Sequence, residues 1–188
     1  MKRFGKEINR QLFHIFVGVC ALVILYAFGR GFFVGSAFVI LLAGLMLINQ
    51  AYLGKKIGVV EWFIKNFERD KTVFPGWGSA CYATGALLLG AFLHNQVEIA
   101  ASMIILALGD GLSTIFGLLG RIPLPYNKKK TLEGTVALFF SSLLGYIFIG
   151  PLIIPAALIA ALVESLPLPF DDNITIPVAL IIFFLLVK

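Results

Sequence analysis

Residues 97–119 read VEIAASMIILALGDGLSTIFGLL, an apolar run whose charged side chains are Glu98 and Asp110. A helix needs about 20 predominantly apolar residues to cross the hydrocarbon core of a bilayer. This stretch has that length and composition, so it predicts a membrane-spanning helix. Runs of the same kind recur along most of the chain and decide the predicted fold class.

The composition of the whole chain indicates a membrane protein. Of its 188 residues, 60% are hydrophobic and 13% are charged, whereas a soluble domain usually has about 25% charged residues. We therefore predict one membrane-embedded, all-α domain over residues 1–188, with about seven transmembrane helices of sufficient length. The predicted spans are 12–29, 32–53, 76–93, 97–119, 134–150, 151–164 and 174–187.

The basic residues predict the orientation of the chain. Apart from Arg30 and Lys188, the 15 Lys and Arg residues lie before the first span or in the loops after the second and fourth spans. Cytoplasmic loops are enriched in Lys and Arg, so we expect a cytoplasmic N-terminus and a C-terminus on the opposite side. Because these residues occupy short loops rather than a basic face, nucleic-acid binding is not expected.

Residues 57–73 interrupt the series of apolar runs. Here Val60, Trp62, Phe63 and Phe67 are mixed with charged side chains. This pattern predicts an amphipathic helix that lies on the cytoplasmic membrane surface. A solvated connector between two spans is the alternative.

Asp110 is the most informative polar residue because it lies deep in an apolar run. Insertion scales give a carboxylate at the centre of a membrane helix a cost of roughly 2.5–3.5 kcal/mol. Such residues usually face a polar cavity, so Asp110 is a candidate catalytic base or metal ligand; a structural pair with a lysine is the alternative. Nearby, Gly109, Ser113 and Gly117 form a small-residue stripe that is typical of close helix packing.

A second candidate site lies where Lys128, Lys129 and Lys130 precede Thr131. Thr131 is suited to cap the N-terminus of the next helix, and free N–H groups at a helix start attract phosphate. Glu133 lies next to this anion site, where a magnesium ion would bridge carboxylate and phosphate. Alternatively, the lysines only anchor the loop at the membrane surface.

Oxygen-bearing side chains form a third cluster between the last two spans, at Glu164, Asp171, Asp172 and Asn173. Oxygen ligands close to a membrane surface suit a hard cation such as Mg²⁺. The alternative is ordinary turn chemistry, in which the Asp-Asp-Asn sequence caps the last helix.

A fourth group lies at the cytoplasmic entry of the first span. The spacing of Glu7, Arg10 and His14 places all three on one face of a helix. A surface ion pair and a packed core histidine are the alternatives to a functional role.

Four segments occur in a characteristic order along the chain. They are Glu7-x-x-Arg10 with His14; Phe74-Pro75-Gly76-Trp77-Gly78; Gly109-Asp110-Gly111 followed by Lys130-Thr131-Leu132-Glu133-Gly134-Thr135; and Glu164 with Asp172-Asn173. In this order, on a small helical membrane chain, they resemble the dolichol kinase family, which includes phytol and other polyprenol kinases. The third segment is the most specific part of the resemblance.

The resemblance implies phosphorylation of a membrane isoprenoid alcohol, such as a polyprenol, dolichol or a shorter alcohol, with CTP as donor and Mg²⁺ as cofactor. On this interpretation Asp110 and Glu164 are the catalytic carboxylates. The CTP phosphates would contact Lys128, Lys130, Thr131, Gly134 and Thr135. The metal ligands would be Glu133, Asp172 and Asn173, and Glu7, Arg10 and His14 would be additional site residues.

Two other functions fit parts of the same pattern. A CTP-dependent cytidylyltransferase would use the same nucleotide and metal but would make a CDP-lipid and release pyrophosphate. A small membrane transporter would use Asp110 and Glu164 as coupling sites inside the membrane. The clustered lysines favour a nucleotide, while the phosphate-binding loops of soluble nucleotide enzymes are absent from the sequence.

The predicted orientation can be tested by site-directed labelling in intact cells. Single cysteines at Lys128 and Lys188 should report opposite sides of the membrane, because the basic loops stay in the cytoplasm. An impermeant maleimide should label position 188 alone. Equal labelling of both positions would overturn the orientation.

Overall fold

The computed structural model describes residues 2–67 and 74–187, apart from the side chains of Lys2 and Arg3. Within these ranges the regular structure is helical except for one isolated β-bridge between Pro123 and Thr131, so the predicted all-α class is confirmed. The α-helices are α1 (Lys2–Tyr52), α2 (Gly58–Phe67), α3 (Trp77–Phe92), α4 (Gln96–Ile104), α5 (Asp110–Leu119), α6 (Leu132–Ser142), α7 (Tyr146–Ile149), α8 (Ile153–Ser165) and α9 (Asp172–Leu186). A π-helical turn (Ile105–Gly109) joins α4 to α5, and 3-10 turns (Leu143–Gly145 and Gly150–Leu152) flank α7.

Helix α1 consists of two arms that meet at a bend. Gly29 has φ 80° and ψ 174°, a non-helical conformation that glycine adopts without steric cost. Arg10 in the first arm and Ile48 in the second both lie beside the start of α3, whereas Val34 lies beside its C-terminal part. The two arms therefore run in opposite directions, as expected for the first two predicted spans.

In the part of the chain that the structure describes, three helical stretches are long and apolar enough to cross a membrane: Phe4–Tyr52, Gln96–Leu119 and Leu132–Ser165. The third contains Gly150, whose φ of 57° marks the point where the fifth and sixth predicted spans meet. Helix α9 is apolar but shorter. Association with a membrane is thus supported, while the number of about seven spans stays a prediction.

The continuous helix made of α4, the π-helical turn and α5 lies at the centre of the molecule. Every residue from Ile99 to Ala107 is buried, and α1, α3, α6 and α9 pack around this helix. By contrast, α1 exposes large apolar side chains on its outer surface, among them Phe16, Val23 and Val39. An exterior of this kind is suited to lipid rather than to water.

The π-helical turn ends directly before Asp110. Single π-turns inside α-helices are uncommon and frequently occur at functional sites. Gly109 closes the turn at a point of tight packing, because a Cβ at this position would lie 2.7 Å from Ser142 Oγ on α6. The central helix therefore changes from a π-helical to an α-helical turn at Asp110, which the sequence indicates as a candidate site residue.

Helix α2 corresponds to the first part of the predicted surface helix 57–73. Its aromatic side chains pack on the first arm of α1, where the Phe13 ring lies 5.6 Å from Phe63 and 4.9 Å from Phe67. Residues 68–73 lie outside the described ranges, as do the side chains of Lys2 and Arg3 and residue Lys188, so part of the predicted charge pattern is not described.

Helices α3 and α9 approach each other closely at Gly85. Pro177 has no N–H with which to bond the carbonyl four residues earlier, and that carbonyl, on Asn173, faces Gly85. A Cβ on Gly85 would lie 2.1 Å from the Asn173 carbonyl oxygen. This contact holds the start of α9, which carries the Asp-Asp-Asn sequence, against α3.

We expect Gly85→Ala to destabilise the protein by about 1–3 kcal/mol, the usual cost of overpacking. The added methyl group must push the Asn173 carbonyl, and with it α9, away from α3. Thermal unfolding in detergent measures the effect.

Gly44→Ala is the matched control, because a Cβ at Gly44 has no neighbour within 4 Å. Its melting temperature should equal or exceed that of the wild type, since alanine favours a helix more than glycine does. Equal melting temperatures for the two variants would contradict the proposed contact.

Candidate active site

The lysine loop, residues 120–131, is folded by its own hydrogen bonds. Leu124 N donates to Lys130 O over 3.0 Å, next to the β-bridge that closes the loop. At the end of the loop, Thr131 Oγ1 accepts from Gly134 N over 3.3 Å. This bond confirms the predicted N-cap of α6, and it fixes the direction in which the loop presents Lys130.

Side chains tie the same loop to the C-terminal end of α8. Tyr126 OH donates to Ser165 Oγ over 2.9 Å, and Asn127 Nδ2 donates to the Ser165 carbonyl over 3.0 Å. Because Ser165 follows Glu164 in the sequence, these bonds bring the loop to the Glu164 carboxylate.

Lys130 joins two carboxylates from different helices. Its Nζ donates to Asp172 Oδ2 over 2.7 Å and also to Glu164 Oε1. Burial by itself would lower the pKa of Lys130, but the carboxylates of Glu164, Asp172 and Asp110 outweigh burial and hold this pKa above its ordinary value. Lys130 therefore stays protonated and offsets part of the negative charge around it.

Three carboxylates from α5, α8 and α9 converge beside Lys130. One oxygen each of Asp110, Glu164 and Asp172 lies within 4.8 Å of the other two. Glu164 is 1% exposed, and its Oε2 has no hydrogen-bond partner in the described part of the chain. Clustered carboxylate oxygens, one of them without a partner, fit a Mg²⁺ ion. We name this group the carboxylate cluster.

Ser113 orients one member of the carboxylate cluster. Its Oγ donates to Glu164 Oε1 over 2.8 Å. The sequence placed Ser113 in a packing stripe, and that interpretation is also confirmed, because a Cβ on Gly134 would lie 2.9 Å from the Ser113 carbonyl and 3.1 Å from Gly117 Cα. The close approach of α5 and α6 thus allows the hydroxyl to reach across to α8.

His14 is brought to the cluster from the first arm of α1. Its Nε2 donates to the Leu106 carbonyl over 3.0 Å and lies 3.8 Å from Asp110 Oδ2. On the same helical face, Arg10 Nη2 donates to Glu7 Oε1, so the ion pair considered as an alternative is present. Of Glu7, Arg10 and His14, only His14 has a described contact with a carboxylate of the cluster.

Two predicted metal ligands lie outside the carboxylate cluster. Glu133 Oε1 accepts from Arg121 N over 2.7 Å and from Ile122 N over 3.2 Å, so this carboxylate holds the start of the lysine loop. Asn173 is buried and donates through Nδ2 to Asp171 Oδ1 over 2.7 Å. Asp171 also accepts from Asn173 N, which confirms the N-cap interpretation for the first aspartate of the sequence.

The residues predicted to contact the CTP phosphates differ in whether their hydrogen-bonding groups are available to a ligand. Lys128 is exposed and therefore accessible to a ligand in water. In the first turn of α6, however, Gly134 N donates to Thr131 Oγ1 and Thr135 N donates to the Thr131 carbonyl. These backbone groups already have acceptors, so the lysines are the clearer candidates for binding phosphate.

Sequence reasoning missed four residues that build the site: Ser113, Tyr126, Asn127 and Ser165. Ser113 follows Asp110 by nearly one helical turn, a spacing that places both on one face. Tyr126 and Asn127 stand directly before the lysine triplet, but nothing in the sequence indicates that they bind the end of α8.

The chain is similar to several proteins over almost its whole length. It is 32% identical to an uncharacterized protein of Methanocaldococcus jannaschii over 178 residues, which cover 92% of this chain and 89% of that protein. It is 27% identical to a probable chloroplastic phytol kinase 3 of Glycine max (95% of this chain, 62% of that protein). It is 29% identical to a chloroplastic farnesol kinase of Arabidopsis thaliana (92% and 63%).

The chain thus spans less than two thirds of the plant kinases, whereas it covers most of the archaeal protein. No family model matches the chain. No solved structure matches it significantly.

We predict that the carboxylate cluster binds a divalent cation in the absence of nucleotide. Mn²⁺ serves as the probe, and its binding to the purified protein can be followed by electron paramagnetic resonance. Asp110→Asn and Asp172→Asn should each weaken binding at least about tenfold, because each removes one of few charged ligands.

Glu133→Gln distinguishes the cluster from the site expected from sequence, and it should bind Mn²⁺ as the wild type does. Glu61→Gln, an exposed position on α2, is the control for a general loss of negative charge. If Glu133→Gln weakens binding as much as Asp110→Asn, the metal lies at the lysine loop instead.

Proposed function

The chain belongs to the polyprenol (phytol) kinase family, and from this membership we propose that it transfers a phosphoryl group to the hydroxyl of an isoprenoid alcohol. The observation that carries the proposal is the bridge from Lys130 to Glu164 and Asp172 beside Asp110. Phosphoryl transfer is catalysed mainly by positioning and by neutralising charge. Lys130, next to carboxylates that fit a metal ion, provides groups for positioning the phosphates and for neutralising their charge.

CTP is the proposed donor, on the strength of the sequence resemblance described above. In the reaction the lipid hydroxyl oxygen forms a bond to the γ-phosphorus of CTP, and the bond from that phosphorus to the oxygen it shares with the β-phosphate breaks. The products are a lipid monophosphate and CDP, and the hydroxyl proton is released. The acceptor class includes polyprenols, dolichol and shorter alcohols.

Asp110, Glu164 and Asp172 are the residues that would hold Mg²⁺. When bound, this ion would neutralise charge on the transferred phosphoryl group. Ser113 supports the arrangement through its bond to Glu164, and Lys130 is placed to exchange its carboxylate partners for phosphate oxygens.

Asp110 is the carboxylate that we assign to the lipid hydroxyl. It is the member of the cluster nearest His14, which belongs to the first arm of α1. From this position its carboxylate would accept the hydroxyl proton as the new bond to phosphorus forms. Lys128 and Lys130 are assigned to the triphosphate, on the side of the lysine loop.

The proposed topology follows the basic residues. Lys130, the end of α8 and the start of α9 meet at one end of the molecule, as expected if the lysine loop and the loop before α9 share the cytoplasmic side. We propose about seven helical passes in a membrane, with the site and the N-terminus cytoplasmic and the C-terminus opposite.

Two observations favour a kinase over the other functions. Relatives that align with nearly the whole chain are named phytol and farnesol kinases. Lys130 also stands close to the exposed Lys128 in one loop, and grouped lysines are suited to a phosphate ligand, which a kinase binds and a cation transporter does not.

Labelled nucleotides test the proposed reaction. With γ-labelled CTP, Mg²⁺ and phytol, label should move into the chloroform phase, because the γ-phosphoryl group is the one transferred. γ-Labelled ATP should transfer less. Label in the lipid from α-labelled CTP would instead establish a cytidylyltransferase, and no transfer from either nucleotide to any isoprenoid alcohol would refute the kinase.

Adjacent lysines provide a matched pair of variants. Lys130→Ala should lower kcat/KM for CTP by about a hundredfold or more, since removing one group that stabilises charge in the transition state costs about 10²–10³ in rate. Lys129→Ala should change it less than about threefold, because Lys129 is exposed. Equal losses in the two variants would show that the triplet acts only as a diffuse positive charge.

A further inference from the structure

A cavity of about 610 Å³ lies between the two arms of α1, α2 and α3. Most of its wall is apolar, with contributions from Phe13, Val17, Ile24 and Phe33 of α1 and from Ala86 of α3. Ligand pockets of about 300–1,000 Å³ bury most of a drug-sized molecule. This cavity therefore has room for a small apolar chain.

One side of the cavity borders the carboxylate cluster. His14 lines the cavity, and its Nε2 lies 3.8 Å from Asp110 Oδ2. Asp171 and Asn173 also line it and flank Asp172, a member of the cluster. An apolar chain in the cavity would thus have its polar end beside the groups that we assign to phosphoryl transfer.

Polar groups without partners mark this side of the cavity. Tyr82 is 7% exposed and Asn173 is 6% exposed, and both line the cavity. Among the described residues, neither the Tyr82 hydroxyl nor Asn173 Oδ1 has a hydrogen-bond partner. An unsatisfied buried polar group costs about 1–3 kcal/mol. In the absence of nucleotide, a ligand hydroxyl would accept from the Tyr82 hydroxyl and donate to Asn173 Oδ1; in the proposed reaction the same proton would pass to Asp110 instead.

The end of the cavity away from the carboxylate cluster is apolar and is lined by Phe33. The ring of Phe33, which is buried, lies against Gly90, one helical turn beyond Ala86. On the first arm of α1 the cavity lining extends from His14, beside the carboxylate cluster, to Ile24, a distance of about 15 Å at a rise of 1.5 Å per residue. An isoprene unit adds four bonds of about 1.5 Å to an extended chain, so a chain of about this length contains roughly three isoprene units.

We propose that this cavity binds the hydrocarbon tail of the acceptor alcohol, with the hydroxyl at His14, Tyr82 and Asn173, and that Phe33 limits the length of the tail. The inference rests on the proposed function for the identity of the acceptor. The size of the cavity restricts the proposed acceptors to isoprenoid alcohols with roughly three or four isoprene units, whose tails a pocket of this size can bury.

Binding of tritiated farnesol to the purified protein, without nucleotide, tests the pocket independently of catalysis. Unlabelled phytol should compete well, and undecaprenol should compete at least about tenfold more weakly, because its tail exceeds the cavity. Ala86→Leu should weaken the binding of both alcohols by roughly tenfold, since it places a larger side chain inside the pocket one helical turn from Tyr82.

Ala91→Leu is the control on the same helix, because Ala91 is exposed and does not line the cavity; it should bind both alcohols as the wild type does. If Ala86→Leu does not fold, Ala83→Leu replaces it, since Ala83 lines the cavity and is only half-buried. Equal competition by undecaprenol, with no effect of the cavity variant that folds, would overturn the proposal.

The two hypotheses fail in different ways. If farnesol binding depends on Ala86 but no nucleotide labels any alcohol, the pocket stands and the kinase does not. If label transfer proceeds with the same alcohol preference in wild type and cavity variants, the kinase stands and the tail pocket is refuted.

Discussion

The ion pairs of Lys130 with Glu164 and Asp172 are the contacts on which the site depends. They join the lysine loop to α8 and α9, and they offset charge that would otherwise be isolated in an apolar interior. A buried charge that loses its partner is strongly destabilising. The loop, the ends of two helices and the carboxylate cluster therefore have to assemble together.

Several further contacts make this charged arrangement possible. Tyr126 and Asn127 bond to Ser165 and set the loop against α8, while Glu133 satisfies backbone N–H groups at the start of the loop. On the other side, the Asn173 carbonyl packs on Gly85 and holds α9 in place. The site is thus supported by hydrogen bonds to backbone and side-chain groups and by close backbone packing.

The sequence predicted the helical class and singled out Asp110, Lys130, Glu164 and Asp172, because charged residues in apolar runs are costly and therefore conspicuous. The residues alone grouped Glu164 with Asp172 but left Asp110 and Lys130 in separate candidate sites, and only the family resemblance implied a single site. Glu133 was expected to bind metal because it is close to the lysines in sequence, but its oxygens bond to the backbone of its own loop. The spacing between Glu133 and the lysines could not reveal this difference. A carboxylate at that position can bind a metal ion or accept hydrogen bonds from backbone N–H groups, and the sequence is the same in both cases.

The sequence by itself determined that this chain is helical and has apolar runs long enough to cross a membrane, because the length and composition of such runs depend on local chemistry alone. Only the tertiary structure decided which carboxylates meet: those of Asp110, Glu164 and Asp172 lie together, Glu133 lies apart, and a cavity lies beside the cluster. Residues more than fifty positions apart meet there through helix packing, which depends on the shapes of both partners. The sequence of one helix alone therefore does not determine which other helix its carboxylate will meet.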